Sequence, residues 1–324
     1  MQPLRPQRLH PGDTVVIAAP SGPCTPDRRD ELDSGIEAVR AMGFEVELSG
    51  LVESAARRFW RSGTPAEQAA EVNSLLADPR VRAIVPFAGG NATTGYVDRL
   101  DFEAVRADPK PILGFSDMTA IHLALHSRTG LIGMHADFAP GFGKFWASAD
   151  AERLEQIREL VRDLLTGQID DVALPAENTW ETWKPGKATG RLVGGLLDRF
   201  IRLQVGPLAF APERFDGAIL FWEEVGRNIG HVWNDLHVLR SAGILDRISA
   251  MVVGIPIHLS GPADRHGPVT VKEVVLDVLD GIEIPVLGGV DFGHTGPNLP
   301  MPIGLRASVN ADDHELRLLE SPVT

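Results

Sequence analysis

At 324 residues the chain has room for about two domains of ordinary size, and 44% hydrophobic content with only 6% aromatics implies aliphatic cores. Lysine and arginine total 31 against 44 aspartates and glutamates; the net charge of −13 argues against a nucleic acid polymer as partner. The single cysteine, Cys24, excludes an intrachain disulfide, and the proline-bearing start MQPLRPQRLHPGD lacks the apolar stretch of a secretory signal, so the expected location is the cytoplasm.

In chain order, TVVIAA (14–19) reads as a buried strand, and Thr25 with Pro26 as the N-cap and first position of a helix ending near Gly43. FEVEL (44–48) is a second strand. Thr64, Pro65 and Glu67 spell a capping box for a helix whose Val72, Leu75 and Leu76 face inward. The stretches AIVPF (83–87), PILGF (111–115) and LIGMH (131–135) continue the strands, and a helix from Asp150 to Leu165 stops at Gly167. Strands alternating with helices indicate parallel βαβ units, so the fold class is α/β, with a doubly wound, Rossmann- or flavodoxin-like sheet domain over residues 1–167.

Residues 168–190 lack a period and read as a linker rich in Trp, Pro and Gly. Residues 191–324 read as a smaller mixed α/β domain. Its elements are GAILFW (217–222), a helix over 229–242, AMVVGI (250–255), a helix from Val271 to Leu279, and strands near 303–309 and 315–319. The apolar segments are far shorter than the roughly 20 residues that cross a bilayer, so no membrane association is expected.

In open parallel sheets the loops at the carboxyl ends of the strands form the binding crevice, which gathers PSGPC, AGGNATTG, FSDMT and HADF. Two readings fit Ser116 there. At a sharp strand-to-helix turn it can present a nucleophile, with the next N–H aimed at the same point; equally, serine and aspartate are favoured helix N-caps. Met118 stands where a G-x-S-x-G pattern has its second glycine. His294, in the loop DFGHTGPNLPMP, has no evident packing duty and is either a base or a solvated loop residue. Glu223 and Glu224 follow the strand AILFW, where a carboxylate can orient an imidazole or merely face solvent. Gly89 and Gly90 allow close backbone approach to a substrate, without the G-K-[ST] ending of a phosphate loop. His122 and His126 are spaced i, i+4, but no acidic or cysteine ligand joins them at a recognised spacing, so no metal site is assigned.

Taken together, LHPGDTVVIAAPSGP, FWRSGT, ADPRVRAIVPFAGGN, ILGFSDMTA, GKATGRLVGG, FWEEVG and DFGHTGPNLPMPIG resemble, in order, the motifs of the LD-carboxypeptidase family of serine peptidases, which has a microcin C immunity branch. The resemblance runs from about residue 9 to about residue 309. It implies a Ser116–His294–Glu223 triad, an oxyanion hole from the N–H groups of Gly90 and Asp117, no cofactor, and a homodimer. It also implies one of two substrates: a murein tetrapeptide losing its terminal D-alanine, or a peptidyl- or aminoacyl-nucleotide of the microcin C type. Trp180, as a residue that stacks on a nucleobase or packs the linker, and Arg227, as a basic contact to substrate, tilt the expectation toward the nucleotide branch. Leu196 replaces an asparagine usual in the family, and His135-Ala136-Asp137 replaces His-Gly-Pro. The rival readings are an α/β-hydrolase-type esterase, which expects G-x-S-x-G, and a catalytically silent peptide-binding homologue.

Overall fold

The computed structural model describes residues 2–137, 150–261, 263–264, 267–296 and 298–324. Phe138 of the HADF loop and Pro297 of DFGHTGPNLPMP lie outside the described residues. The first part comprises β1 (Thr14–Ala18), α1 (Arg29–Ala41), β2 (Glu45–Leu48), α2 (Gly50–Glu53), α3 (Pro65–Ala77), β3 (Val81–Pro86), α4 (Phe102–Ala107), α5 (Met118–Thr129), β4 (Gly133–His135) and α6 (Ala151–Thr166). It is followed by β5 (Val172–Ala173), β6 (Glu181–Lys184), β7 (Lys187–Leu196), α7 (Leu197–Leu203), β8 (Ile219–Glu223), α8 (Ile229–Ser241) and β9 (Ala250–Gly254). The chain ends with β10 (Ala263–Asp264), β11 (Gly267–Pro268), α9 (Val271–Val278), β12 (Val286–Val290), β13 (Met301–Ile303), β14 (Arg306–Asn310) and β15 (Glu315–Leu318).

The β-branched run of β1 is buried and central, paired in parallel with β2 on one side and β3 on the other. The sheet continues past β3 through single parallel bridges, Ile84 to Ile112 and Leu113 to Met134, and then through the antiparallel pair β4–β13. The PILGF strand is cut to two bridges because Gly114 turns at once, with φ +126°. The Thr64–Glu67 capping box forms as expected at the head of α3. Thr25 makes no side-chain cap; a 3-10 turn, Pro26–Arg28, intervenes and α1 starts at Arg29.

The second sheet has eight strands in the order β5-β15-β14-β7-β8-β9-β12-β6. Its centre, β7-β8-β9-β12, is parallel and its flanks are antiparallel. The stretch 168–190 is therefore not a plain linker: it supplies β5, β6 and the first residues of β7. The edge strand β6 and the first residues of β7 carry exposed and half-buried positions, which is why no apolar period marks them in the sequence. One continuous core joins the two sheets, and β13 from the second half pairs with β4 of the first. Among the described residues no helix is long and apolar enough to cross a membrane.

Candidate active site

Ser116 sits between the Leu113 bridge and α5 in the left-handed region, φ +61°, a conformation that a serine holds only when its surroundings impose it. Only glycine fits two residues earlier: a Cβ on Gly114 would lie 2.6 Å from Pro86 Cγ and 2.7 Å from Met118 Cγ. The capping reading of this turn fails, because Asp117 is the N-cap of α5 and makes no side-chain cap bond. The Ser116 hydroxyl instead lies 3.0 Å from His294 Nε2.

His294 follows β12 in a loop fixed by the Gly293 N–H, which donates to Asn298 Oδ1 at 2.8 Å. Its Nδ1 lies 2.8 Å from Glu223 Oε2. In the tautomer with Nδ1–H donating to the Glu223 carboxyl oxygen, Nε2 is an acceptor facing the serine hydroxyl. The ring of Phe115 stands edge-on to His294, centroids 5.1 Å apart. Glu223 closes β8 and is wholly buried. It is wedged by two glycines: a Cβ on Gly254 would meet its Cβ at 2.9 Å, and one on Gly293 its Cγ at 2.4 Å.

Glu224 faces the other way, as strand alternation requires. It accepts hydrogen bonds from the N–H of Asp198 and of Val225 and pairs with Arg227. Burial pushes its carboxyl up to about 7, against the pull of the Val225 N–H and Arg227 and with the Glu223 charge adding to the rise.

The hydroxyl opens on a pocket of about 220 Å³ whose lining includes Arg28, Gly89, Gly90, Asp137 and His294. A Cβ on Gly89 would fall 2.9 Å from Ser116 Cβ and 3.0 Å from its Oγ, so this backbone passes directly beside the serine. Gly90 has φ +154° and abuts the Ser21 hydroxyl in the same manner, at 2.6 Å from where its Cβ would be. Among the described residues the backbone N–H groups of Gly90 and Asp117 hold no hydrogen bond.

The Asp117 side chain ties the serine turn to the neighbouring loops. Its carboxylate accepts from Ser21 Oγ at 2.6 Å, Ala92 N–H at 2.7 Å and Thr93 N–H at 3.0 Å, and pairs with Arg199 Nε at 2.5 Å. Burial alone would raise its pKa, but the Arg199 charge and these hydrogen bonds hold it below the ordinary value. Arg199, on α7, also donates to the Gly90 carbonyl at 3.2 Å and to Asn91 Oδ1 at 2.9 Å. It thus ties α7 to both sides of the pocket. Neither Arg199 nor Arg28 stands out in the sequence; the only signal for Arg28 is that it follows the PSGPC loop.

Of the two readings of Trp180 the packing one fits its burial, and the substrate contact expected of Arg227 is corrected. Trp180 is 2% exposed, with its indole N–H donating to Asp291 Oδ1 at 2.6 Å, so it has no free face for a base and packs the core. Arg227 is held by Asp235, Glu224 and Asp198 at 2.5, 3.2 and 3.6 Å, which uses its charge within the protein. Leu196 is buried beside Glu223 in register, its N–H on Thr119 Oγ1 at 3.0 Å. His122 and His126 bond the carbonyls of Gly114 and Leu131 at 2.8 and 3.0 Å. Among the described residues no three ligating side chains gather to hold a metal. His135 is buried against the rings of Phe115, Phe221 and Phe292.

Comparison with known proteins agrees over nearly the whole length. The microcin C7 self-immunity protein MccF of Escherichia coli is 28% identical over 98% of this chain and 96% of its own. The murein tetrapeptide carboxypeptidase of Pseudomonas aeruginosa is 26% identical over 91% and 92%. The solved structure of MccF in complex with glutamyl sulfamoyl guanosine superposes with a TM-score of 0.87 at 28% identity, covering 99% of this chain and all of that one. Residues 15–136 match the LD-carboxypeptidase N-terminal domain and residues 189–309 its C-terminal domain; with both halves accounted for, the chain belongs to the LD-carboxypeptidase family of serine hydrolases.

Proposed function

We propose that the chain hydrolyses an amide bond through an acyl-enzyme formed on Ser116. The observation that carries this reading is the hydrogen-bonded series Ser116 Oγ–His294 Nε2–Glu223 Oε2, at 3.0 and 2.8 Å, opening on a pocket. The Ser116 oxygen attacks the amide carbonyl as His294 Nε2 takes its proton. The oxyanion then turns toward the N–H groups of Gly90 and Asp117, preorganised by Arg199 and the Asp117 carboxylate. As the C–N bond breaks, His294 returns the proton to the leaving nitrogen. Water, deprotonated by the same imidazole, releases the acid and restores the hydroxyl. Glu223 keeps the ring in one tautomer and balances the imidazolium, with its position set by Gly254 and Gly293 rather than by solvent.

The substrate is a small amide conjugate: a peptide ending in a free carboxylate, as for the murein enzyme, or an aminoacyl nucleotide, as in the MccF complex. The pocket admits a group of amino-acid size. A homodimer in the cytoplasm belongs to the same reading. Hydrolysis of a D-alanine-ended murein tetrapeptide and of an aminoacyl sulfamoyl adenosine, compared for the native chain and Ser116→Ala, tests it. Loss of product from both in the variant supports the assignment; undiminished turnover refutes it, and turnover of simple esters alone favours the esterase reading.

A further inference from the structure

The chain carries a second conspicuous feature at the carboxyl ends of the first sheet: the turn Arg57-Arg58-Phe59-Trp60-Arg61. Phe59 and Trp60 are 66% and 59% exposed, more than any other large aromatic among the described residues, Trp233 following at 39%. The turn is built firmly. Arg58 and Arg61 exchange backbone hydrogen bonds at 2.7 and 3.1 Å, and the next residue, Ser62, ties to the Ser21 carbonyl at 3.1 Å through its N–H. Phe59 sits at φ +60°, a strained setting for an exposed aromatic residue.

The turn adjoins the pocket. The Trp60 indole N–H donates to the Asn91 carbonyl at 2.9 Å, next to Gly90, which lines the pocket. That bond fixes the edge of the indole, and the residue stays 59% exposed although the Phe59 ring lies 5.9 Å from it. The guanidinium carbons of Arg58 and Arg61 stand 5.7 Å from the Phe59 and Trp60 ring centroids, respectively. Among the described residues, none of Arg57, Arg58 and Arg61 forms a salt bridge, although the whole chain has net charge −13. The carboxylates that feel these cations are engaged locally: Glu67 closes the Thr64 capping box, and Asp27 bonds Thr25.

We infer that the Arg57–Arg61 turn is a substrate subsite for a nucleotide-type group, with a flat base on Trp60 or Phe59 and its anionic linker on Arg58 and Arg61. It replaces the stacking role expected of Trp180, which the core consumes. Aromatic surface beside unpaired guanidinium groups suits a base with a negative charge. A peptide strand suits it less, because the Arg58 and Arg61 backbone groups bond each other and the Phe59 carbonyl accepts from Arg57 Nε. The inference rests on the amide-hydrolase reading for its place beside the scissile bond, but its test does not depend on turnover.

Calorimetric titration of full-length Ser116→Ala with adenosine monophosphate, adenosine and a murein tetrapeptide provides that test. The nucleotide is expected to bind more tightly than the nucleoside, with affinity falling as salt rises. Trp60→Ala should weaken nucleotide binding by about tenfold to a hundredfold, and the pair Arg58→Ala/Arg61→Ala should abolish the preference for nucleotide over nucleoside. Val205→Ala, an exposed change in another loop, should leave binding unaltered. Nucleotide binding that is absent, or indifferent to Trp60→Ala, overturns the inference. So does a tetrapeptide that binds in a Trp60-dependent way while the nucleotide does not, or sedimentation showing that Trp60→Ala converts a dimer to monomers. If the nucleotide binds as expected but the native chain hydrolyses nothing, the subsite stands and only the hydrolase reading fails.

Discussion

Acidification from pH 8 to pH 5 should weaken the fold by an amount that the buried histidines and Glu224 set. Burial holds His122 and His126 down at about 4 and His135 at about 3, against an ordinary value of 6.5. A depressed folded value means stability that is present above 6.5 and is lost as pH falls toward the folded value, because the unfolded chain takes the protons first. At pH 5 each of the three costs about 2 kcal/mol, about 6 kcal/mol together. Glu224 has the opposite sign: raised from 4.5 to about 7, it penalises the fold at pH 8 and relieves about 2–3 kcal/mol of that on reaching pH 5. A net loss of about 3–4 kcal/mol remains, a sizeable share of the roughly 5–15 kcal/mol typical of a folded protein. Guanidinium unfolding at the two pH values reads it directly. His122→Gln should remove about a third of the histidine contribution, and Glu224→Gln should steepen the acid loss. Equal stability at pH 8 and pH 5, or histidine NMR titrations of these three near 6.5, would refute the reasoning.

Glu223→Gln should keep the fold and lower kcat about 10⁴-fold, since the amide cannot hold the imidazole tautomer or balance its charge; an unchanged kcat removes Glu223 from the mechanism. Gly89→Ala should cost kcat about 100-fold with little change in Tm, because the new methyl presses on Ser116 Cβ at 2.9 Å; full activity would place the serine further from this backbone than described. Arg199→Ala should lower stability by about 3–5 kcal/mol by leaving the Asp117 carboxylate buried without its cation. Arg199→Lys, which keeps the charge but not the fork, should fall between. A denaturation midpoint unmoved in the alanine variant contradicts the pairing.

Periodicity and capping residues were enough to read the α/β class, most helices and the strands β1, β2, β3, β8 and β9, because these elements bury one face or a whole run against a single core. The triad candidates were also legible one by one, as polar residues stranded at strand ends and in a glycine-rich loop without packing duties. Local sequence left Ser116 divided between cap and nucleophile, and Glu223 level with Glu224. The tertiary structure separates them: a positive φ aims the serine away from helix capping, and strand alternation sends one acid to His294 and its neighbour to Arg227. The stretch of β5 and β6 was illegible because edge strands satisfy their backbone groups through distant partners and need no apolar period of their own. The choice left open at Trp180 and the misreading of Arg227 have a related reason. An aromatic ring or a cation has the same appeal in sequence whether its partner is a substrate or an aspartate elsewhere in the chain, and only folding brings Asp291 to the indole and Asp198 and Asp235 to the guanidinium.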